Sequence, residues 1–430
     1  QLSIDATQDR ASALYYDGAG RLKTSVNAEG HRTEISYDAA GNQQTVTTAS
    51  QSIQLNFFDG ANRLRFVINP EGSVTEQRYD SAGNVIARLQ YATSIDLTAV
   101  SAATGIAELE QWANANSAQA NATRYVYSDD GRLRYQVSAA GQIMESRYVG
   151  ATNTLALASV YDSTVGALLG ENTALSITDI EAALADAGYS GDNARASVNT
   201  LFVTNAQGQQ RYQIDALGQV TESVFNALGQ VEKTIRYSGT LSVQSVPSEA
   251  EMAALVAEFT ELQTQQFSYD ELGRVIESTR GGADGTSLTS YVEYNSFGEA
   301  IRQTDEAGEH SWTVYNQLGQ VAAQINALGE VVSYVYDCQG IVLEQGAHAG
   351  RIAVSASDIE INASRLAGLA SDTDRVLYSS YDKNNQLRFS IDSQGHVSEQ
   401  IYDSLGQVIE SRRYGQAIAL SATDSNSDGQ

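Results

Sequence analysis

Few side chains in this sequence could move a proton, hold a metal or attack a carbonyl: four histidines and one cysteine, beside 52 aspartates and glutamates. His31 and His396 directly follow the glycines Gly30 and Gly395, and His310 lies one residue further from Gly308. Histidines repeated just past a turn glycine read as repeat-surface residues, not as ligands converging on one centre. His348 sits in Gly346-Ala-His-Ala-Gly350, which reads as a flexible loop. Cys338 lies in the turn Asp337-Cys-Gln-Gly340 with no histidine close in sequence, so it is expected as an exposed free thiol. A single cysteine excludes an internal disulfide. There is no HExxH, no CxxC pair, no GxSxG and no phosphate loop. The aspartates stand at turn positions, where they serve the backbone, and pairing two as general acid and base would be arbitrary. No catalytic residue, cofactor site or metal ligand is assigned, and the chain reads as a non-enzyme. A cluster assembled across distant repeats would leave no local motif to read.

One stretch does resemble a ligand set. Asp424-Ser-Asn426-Ser-Asp428-Gly429 has the alternating oxygens and turn glycine of the first half of a calcium loop. No closing acidic ligand follows in this sequence, so residues 416 to 430 are expected to be a polar tail or the start of a further insertion or linker, without metal.

The elements that would have to position any chemistry are strongly periodic. An aromatic followed by Asp or Asn, two variable residues and Gly returns at one constant step at Tyr16, Tyr37, Phe58 and Tyr79, with Asn62 in place of the glycine after Phe58, and again at Tyr294, Tyr315 and Tyr336. Between these lies a second turn without the aromatic, as in Asn69-Pro-Glu-Gly72, Asp305-Glu-Ala-Gly308 and Asn326-Ala-Leu-Gly329. An Asp or Asn side chain bonds its own backbone two residues on, and Gly takes positive φ freely, so this pattern predicts a type I turn with a bulge. The intervening segments alternate or are β-branched, as in Val331-Val332-Ser333-Tyr334-Val335-Tyr336. Each repeat is thus two short strands and two reversals, too small to bury its own apolar face. Successive equal hairpins predict a mainly β fold, a long antiparallel sheet that coils through its own twist, with the repeated aromatic as a packing ladder.

Four insertions interrupt the array, at about residues 92 to 123, 151 to 200, 239 to 265 and 346 to 375. Three open on similar sequences, Gln90-Tyr91-Ala, Arg147-Tyr148-Val and Arg236-Tyr237-Ser, and Arg412-Arg413-Tyr414 looks like the entrance to a fifth. Each contains a helix-like run. Capping boxes are expected at Thr178 with Glu181, Ser248 with Glu251 and Ser357 with Glu360. Helices this short need a docking surface, either their own sheet or a neighbour.

The runs Tyr16-Asp-Gly-Ala-Gly-Arg-Leu22, Tyr79-Asp-Ser-Ala-Gly-Asn-Val85, Tyr269-Asp-Glu-Leu-Gly-Arg-Val275 and Tyr402-Asp-Ser-Leu-Gly-Gln-Val408 resemble YD repeats. These are the unit of Rhs proteins, of the Tc-toxin B and C components and of teneurins. The resemblance covers nearly the whole chain, residues 1 to 415, apart from the insertions. It implies a sheet wound into a spiral shell or barrel, which encloses a toxic C-terminal polypeptide in bacterial members and serves extracellular adhesion in teneurins. The bacterial cages finish with a DPxG-like self-cleavage segment. The only prolines here are Pro70 and Pro247, so that protease step transfers to no residue of this chain.

With 26 Lys and Arg against 52 Asp and Glu, the formal charge is −26, which argues against nucleic acid and anionic membrane surfaces as partners. No stretch approaches the roughly 20 apolar residues of a membrane span, so no membrane insertion is expected. The first residue lies mid-pattern, and the sequence is expected to be a piece of a longer chain. Three functional readings follow. The first is a non-catalytic extracellular or cell-surface scaffold from a bacterium, whose partners are other parts of the same chain or an enclosed polypeptide. The second is an adhesin or self-assembling surface protein that joins copies of itself or cell-surface ligands through sheet edges and insertion helices. The third is a carbohydrate-binding module.

Overall fold

A computed structural model describes residues 12–150, 152–161, 174–189, 198–242, 246–403 and 405–419. Its strands form one sheet of 28 among the described residues, every strand antiparallel to the strands before and after it in the chain. Local turn chemistry explains this meander. At Asp305 the backbone N–H donates to Glu309 O at 2.9 Å, the Gly308 N–H donates to Asp305 O at 3.0 Å, and Oδ1 accepts the N–H groups of Ala307 and Glu309 at 2.9 Å each. Gly308 takes φ +82, as that bulge requires.

The aromatic turns add a rung. The register slips at the aromatic residue, as between Val314 and Tyr315. Its hydroxyl then donates to a carbonyl on the preceding hairpin, Tyr315 to Ala300 O at 3.0 Å and Tyr336 to Val321 O at 2.8 Å. Apart from the exposed Tyr16, the repeated tyrosines are half-buried rather than enclosed, and several lie under a guanidinium, with Arg274 4.5 Å from the Tyr294 ring centre. The ladder is therefore amphipathic, with a hydrogen-bonded tip and a packed ring face.

The sheet coils until distant turns meet. Gln339 donates its side-chain amide to Thr48 Oγ1 at 3.3 Å, across a separation of 291 residues. The receiving turn, Thr48 to Gln51, departs from the repeat pattern in carrying Thr in place of Asp and Gln51 at φ +63 in place of glycine.

Between the strands lie the insertions, each docked on the sheet of its own chain. Helix α1 (Ile106–Ala115) buries Leu109 and Ala113 against Phe66, Ile68 and Tyr91. Helix α2 (Ile177–Asp186) buries Ile180, Ala183 and Leu184 against Val137, Ile143 and Tyr161. Helix α3 (Glu249–Val256) buries Met252 and Val256 against Ile214, Val220 and Tyr237, while Leu255 stays exposed. Each fully buried Ile, Leu or Met contributes about 2 kcal/mol, which helices of this length need.

Three expectations change. The second insertion, expected from residue 151, begins with the strand Leu155–Tyr161, so Tyr161 takes the place expected of Tyr148. Tyr148 is an ordinary ladder tyrosine, donating to Leu133 O at 3.0 Å. The box expected at Thr178 and Glu181 forms instead between Ser176 and Asp179, because the helix starts one residue before Thr178; the Ser248 and Glu251 box forms as expected. No α-helix follows Ser357. That insertion makes only a 3-10 turn, Ala363–Leu366, with Ile359 exposed and Ile361 inserted into the core beside Trp312. The calcium-like stretch Asp424 to Asp428 lies outside the described residues.

One clasp recurs at the first, third and fourth insertions and in the stretch that follows Tyr414. The N–H of Ile95 donates to Gly72 O, Leu241 to Gly218 O, Ile352 to Gly329 O and Ile418 to Gly395 O, at 2.8 to 3.0 Å. The step along the chain from glycine to donor is the same in all four. A Cβ on any of the four glycines would collide with the carbonyl of the clasping residue.

Candidate functional site

Just beyond each clasped glycine, on the strand that leaves its turn, the sheet carries a polar side chain on its inner, insertion-covered face. At three of the four clasped glycines, and at the equivalent turn glycine Gly141, that residue is a buried glutamate. Glu76, only 1% exposed, accepts from Arg65 at 2.6 Å, from Arg78 at 2.8 Å and from the Tyr91 hydroxyl. Glu145 accepts from Arg134 at 2.6 Å, Arg147 at 2.8 Å and Tyr161 at 2.6 Å. Glu222 accepts from Arg211 at 2.9 Å and from Tyr237. Glu399 accepts from Arg388 at 2.7 Å, Arg412 at 3.3 Å and Tyr414 at 2.6 Å. A carboxylate removed from water must be paired and hydrogen-bonded on both oxygens, and these knots do both. Burial pushes the Glu76 carboxyl up, but the bonds from Arg78 and Tyr91 outweigh it and leave the group below its ordinary value. Burial and the neighbouring carboxylate push the Tyr91 hydroxyl well up.

The knots share one grammar. The arginine stands 11 residues before the glutamate. It stacks near the ring that follows it, as Arg65 on Phe66 at 5.1 Å and Arg134 on Tyr135 at 5.2 Å. The tyrosine stands 15 residues after the glutamate in three knots and 16 in the fourth.

The turn at Gly329 breaks every position of that grammar. Ala322 replaces the arginine, Ala323 the aromatic, Ser333 the glutamate and His348 the tyrosine. Ser333 Oγ and His348 Nε2 are 2.8 Å apart, and His348 Nδ1 is 2.7 Å from Asp374 Oδ2. Asp374 is fixed by the N–H of Ala349 at 2.8 Å, the N–H of Ser371 at 3.0 Å and the Ser371 hydroxyl at 3.0 Å. Burial pushes its carboxyl up, but those backbone bonds together with the Ser371 and His348 side chains hold it down at about 2. At neutral pH it is a carboxylate, so the proton of a neutral His348 belongs on Nδ1 and the lone pair of Nε2 faces the serine hydroxyl.

His348, expected in a flexible loop, lies in the strand Val342–Arg351, whose Ala347 pairs with Arg375 of the next strand, and this register carries Asp374 to the imidazole. Sequence reading missed the group because Asp374 is 26 residues from His348 and across an insertion. The signal that could have found it is the spacing from Ser333 to His348, equal to the glutamate-to-tyrosine spacing of the knots. The other histidines do not join it: His31 and His396 stay at their turns, and His310 meets Thr304 Oγ1 at 2.9 Å. Cys338, expected exposed, is half-buried. Among the described residues no group of His, Cys, Asp and Glu is arranged to hold a metal ion.

Solved structures align with this chain over most of its length. The crystal structure of TcdB2-TccC3-Cdc42 matches with a TM-score of 0.45 at 14% identity, covering 94% of this chain and 22% of that one. The Photorhabdus luminescens Tc holotoxin pore with a mutated TccC3 matches with a TM-score of 0.47 at 12% identity, covering 94% and 19%. The crystal structure of TcdB2-TccC3 gives 0.46 at 13%, covering 96% and 20%. This chain thus spans about a fifth of the length of those chains. No curated protein matches it. Residues 16–53 match the family model described as RHS Repeat, and the bulged turn seen there recurs from Asp17 to Asp403: the chain carries the RHS repeat.

Proposed function

We propose that this chain forms part of the wall of an extracellular YD-repeat shell, a scaffold that encloses or displays polypeptide, either another part of its own chain or a cargo. The observation that carries the reading is the contact of Gln339 with the turn at Thr48, which returns the sheet on itself across 291 residues. A sheet whose strands follow chain order and whose distant rims touch is a curved wall, and such a wall needs no chemistry to act. The formal charge of −26 keeps that large β surface soluble and discourages stray edge pairing.

Small-angle scattering and electron microscopy of the chain test this. A curved wall with an open interior supports it; an extended flat ribbon removes it. A protease-sensitive peptide fused after residue 419 would then report enclosure through slower cleavage than the same peptide free in solution.

A second reading, self-assembly, is favoured by the apolar hairpin tips. Leu228 is 85% exposed and Leu272 78%, each at the third position of an aromatic turn on one rim of the sheet, and Leu217 is 80% and Leu328 65% exposed at the same position of turns on the other rim. Exposed apolar side chains repeated along a rim are a contact surface for further copies. A strict monomer by light scattering at high concentration would count against it.

A further inference from the structure

We propose that Ser333 is an activated nucleophile, with His348 as its general base and Asp374 as the positioning residue, so that the shell wall carries one site of acyl-transfer reactivity toward esters or comparably activated acyl donors. The proposal goes beyond the scaffold reading, which stands whether or not this site reacts.

Three observations converge. The first is the linear relay, with 2.8 Å between Ser333 Oγ and His348 Nε2 and 2.7 Å between His348 Nδ1 and Asp374 Oδ2. Nucleophile, base and orienting carboxylate are each within hydrogen-bond reach, and the tautomer set by Asp374 is the one a base needs. The second is replacement as a set. A serine that merely filled the place of a glutamate would need no histidine at the tyrosine's position and no carboxylate from beyond the insertion. Here arginine, aromatic, glutamate and tyrosine are all exchanged together.

The third is access. In two knots the glutamate is flanked in register by a bulky apolar or aromatic residue on both sides, Glu76 by Phe66 and Leu89, Glu222 by Tyr212 and Ile235, and in the other two by an aromatic on one side, Glu145 by Tyr135 and Glu399 by Phe389. Ser333 is flanked by Ala323 and Gly346. A Cβ on Gly346 would stand 3.1 Å from Ser333 Oγ, so glycine there leaves the hydroxyl room. Ser333 itself is half-buried rather than sealed.

The step balances without any outside redox partner. Ser333 Oγ attacks the acyl carbon as its proton passes to His348 Nε2. The C–O bond to the leaving alcohol breaks, and that alcohol takes the proton from Nε2. Water, deprotonated by the same nitrogen, then bonds to the acyl carbon; the acyl–Oγ bond breaks to release the acid, and Nε2 returns its proton to Ser333 Oγ. Asp374 keeps the ring oriented and faces the positive charge that passes through it.

The test uses the full chain and a fluorophosphonate probe, which forms a P–O bond to an activated serine with loss of fluoride. Peptide mass spectrometry should place the adduct on Ser333. His348→Gln should slow labelling at least tenfold; Asp374→Asn should slow it, and Asp374→Glu should recover part of the rate. Unfolding wild-type chain in urea should abolish the adduct, which needs no variant to fold. A folded chain, verified by far-ultraviolet circular dichroism, that gives no adduct at Ser333 overturns the proposal. So does labelling that is unchanged in His348→Gln or in urea.

Discussion

Ile352 donates its backbone N–H to the carbonyl oxygen of Gly329 at 3.0 Å, and the two backbones then lie so close that a Cβ on residue 329 would overlap the Ile352 carbonyl. Gly329 also takes φ +76. Two separate demands therefore fall on one glycine, a left-handed backbone and a close approach. Gly308 has the first alone, with φ +82 and open space around it. Gly308→Ala should cost about 1 to 2 kcal/mol for the left-handed conformation, and Gly329→Ala about 1 to 3 kcal/mol beyond that for the displaced insertion. Urea unfolding gives the difference, and faster hydrogen exchange at Ile352 should accompany it. Equal losses for the two variants would show that the close approach carries no weight.

The glutamate knots predict a contrast between buried and exposed ion pairs. Glu76→Ala removes the carboxylate that Arg65, Arg78 and the Tyr91 hydroxyl share beneath α1, and should cost about 2 to 4 kcal/mol. Glu306 pairs with Arg280 at 2.6 Å, but the two side chains are 37% and 49% exposed. Glu306→Ala should cost less than about 1 kcal/mol. Trp112 lies 5.2 Å from the Tyr91 ring, so its fluorescence in a Trp312→Phe background reports the first knot directly.

The pH dependence follows from groups held below their ordinary values. Asp374 falls from 3.8 to about 2 when folded, and Glu76 is also lowered. A depressed carboxyl contributes stability that is fully present above its unfolded value and is lost as the pH falls through its folded one. The window for Asp374 is therefore from about 4 down to about 2. Unfolding midpoints measured across this window should decline in the wild type, and Asp374→Asn should decline less steeply. A wild-type profile parallel to that of the variant would remove the assignment.

Cys338 should be a sluggish thiol. Burial first, and the adjacent Asp337 carboxylate second, push its ionisation up. Both disfavour the reactive thiolate. Reaction with a disulfide reagent at pH 8 should be several-fold slower in the folded chain than in urea, and Asp337→Asn should recover part of the difference. A folded-state rate equal to the unfolded one would contradict it.

Turns and strands were legible because their causes are local. Asp305 bonds residues two and four places ahead, and Gly308 supplies the positive φ, so five consecutive letters contain the whole interaction. Helix starts were less legible. Ser176 and Thr178 both carry a hydroxyl before an acidic residue three places on, and packing of Ile180 and Leu184 on the sheet favoured the earlier start. At Ser357 the same letters made no helix, since Ile361 and the 3-10 turn that follows reach the core without one.

The sequence by itself determined the constant repeat, the paired turns, the meander of antiparallel strands and the slower rhythm of insertions, because each follows from spacing within one hairpin. Only the tertiary structure decided what the insertions enclose. The clasp from Gly329 to Ile352 and the pairing of Ala347 with Arg375 are contacts across an excursion of the chain, and their geometry depends on how that excursion packs. That packing sets Asp374 against His348 and His348 against Ser333. In the other knots the same lattice position holds a glutamate tied between arginine and tyrosine, so one fold supplies an inert buried ion pair at four sites and a serine, a histidine and an aspartate in line at the fifth.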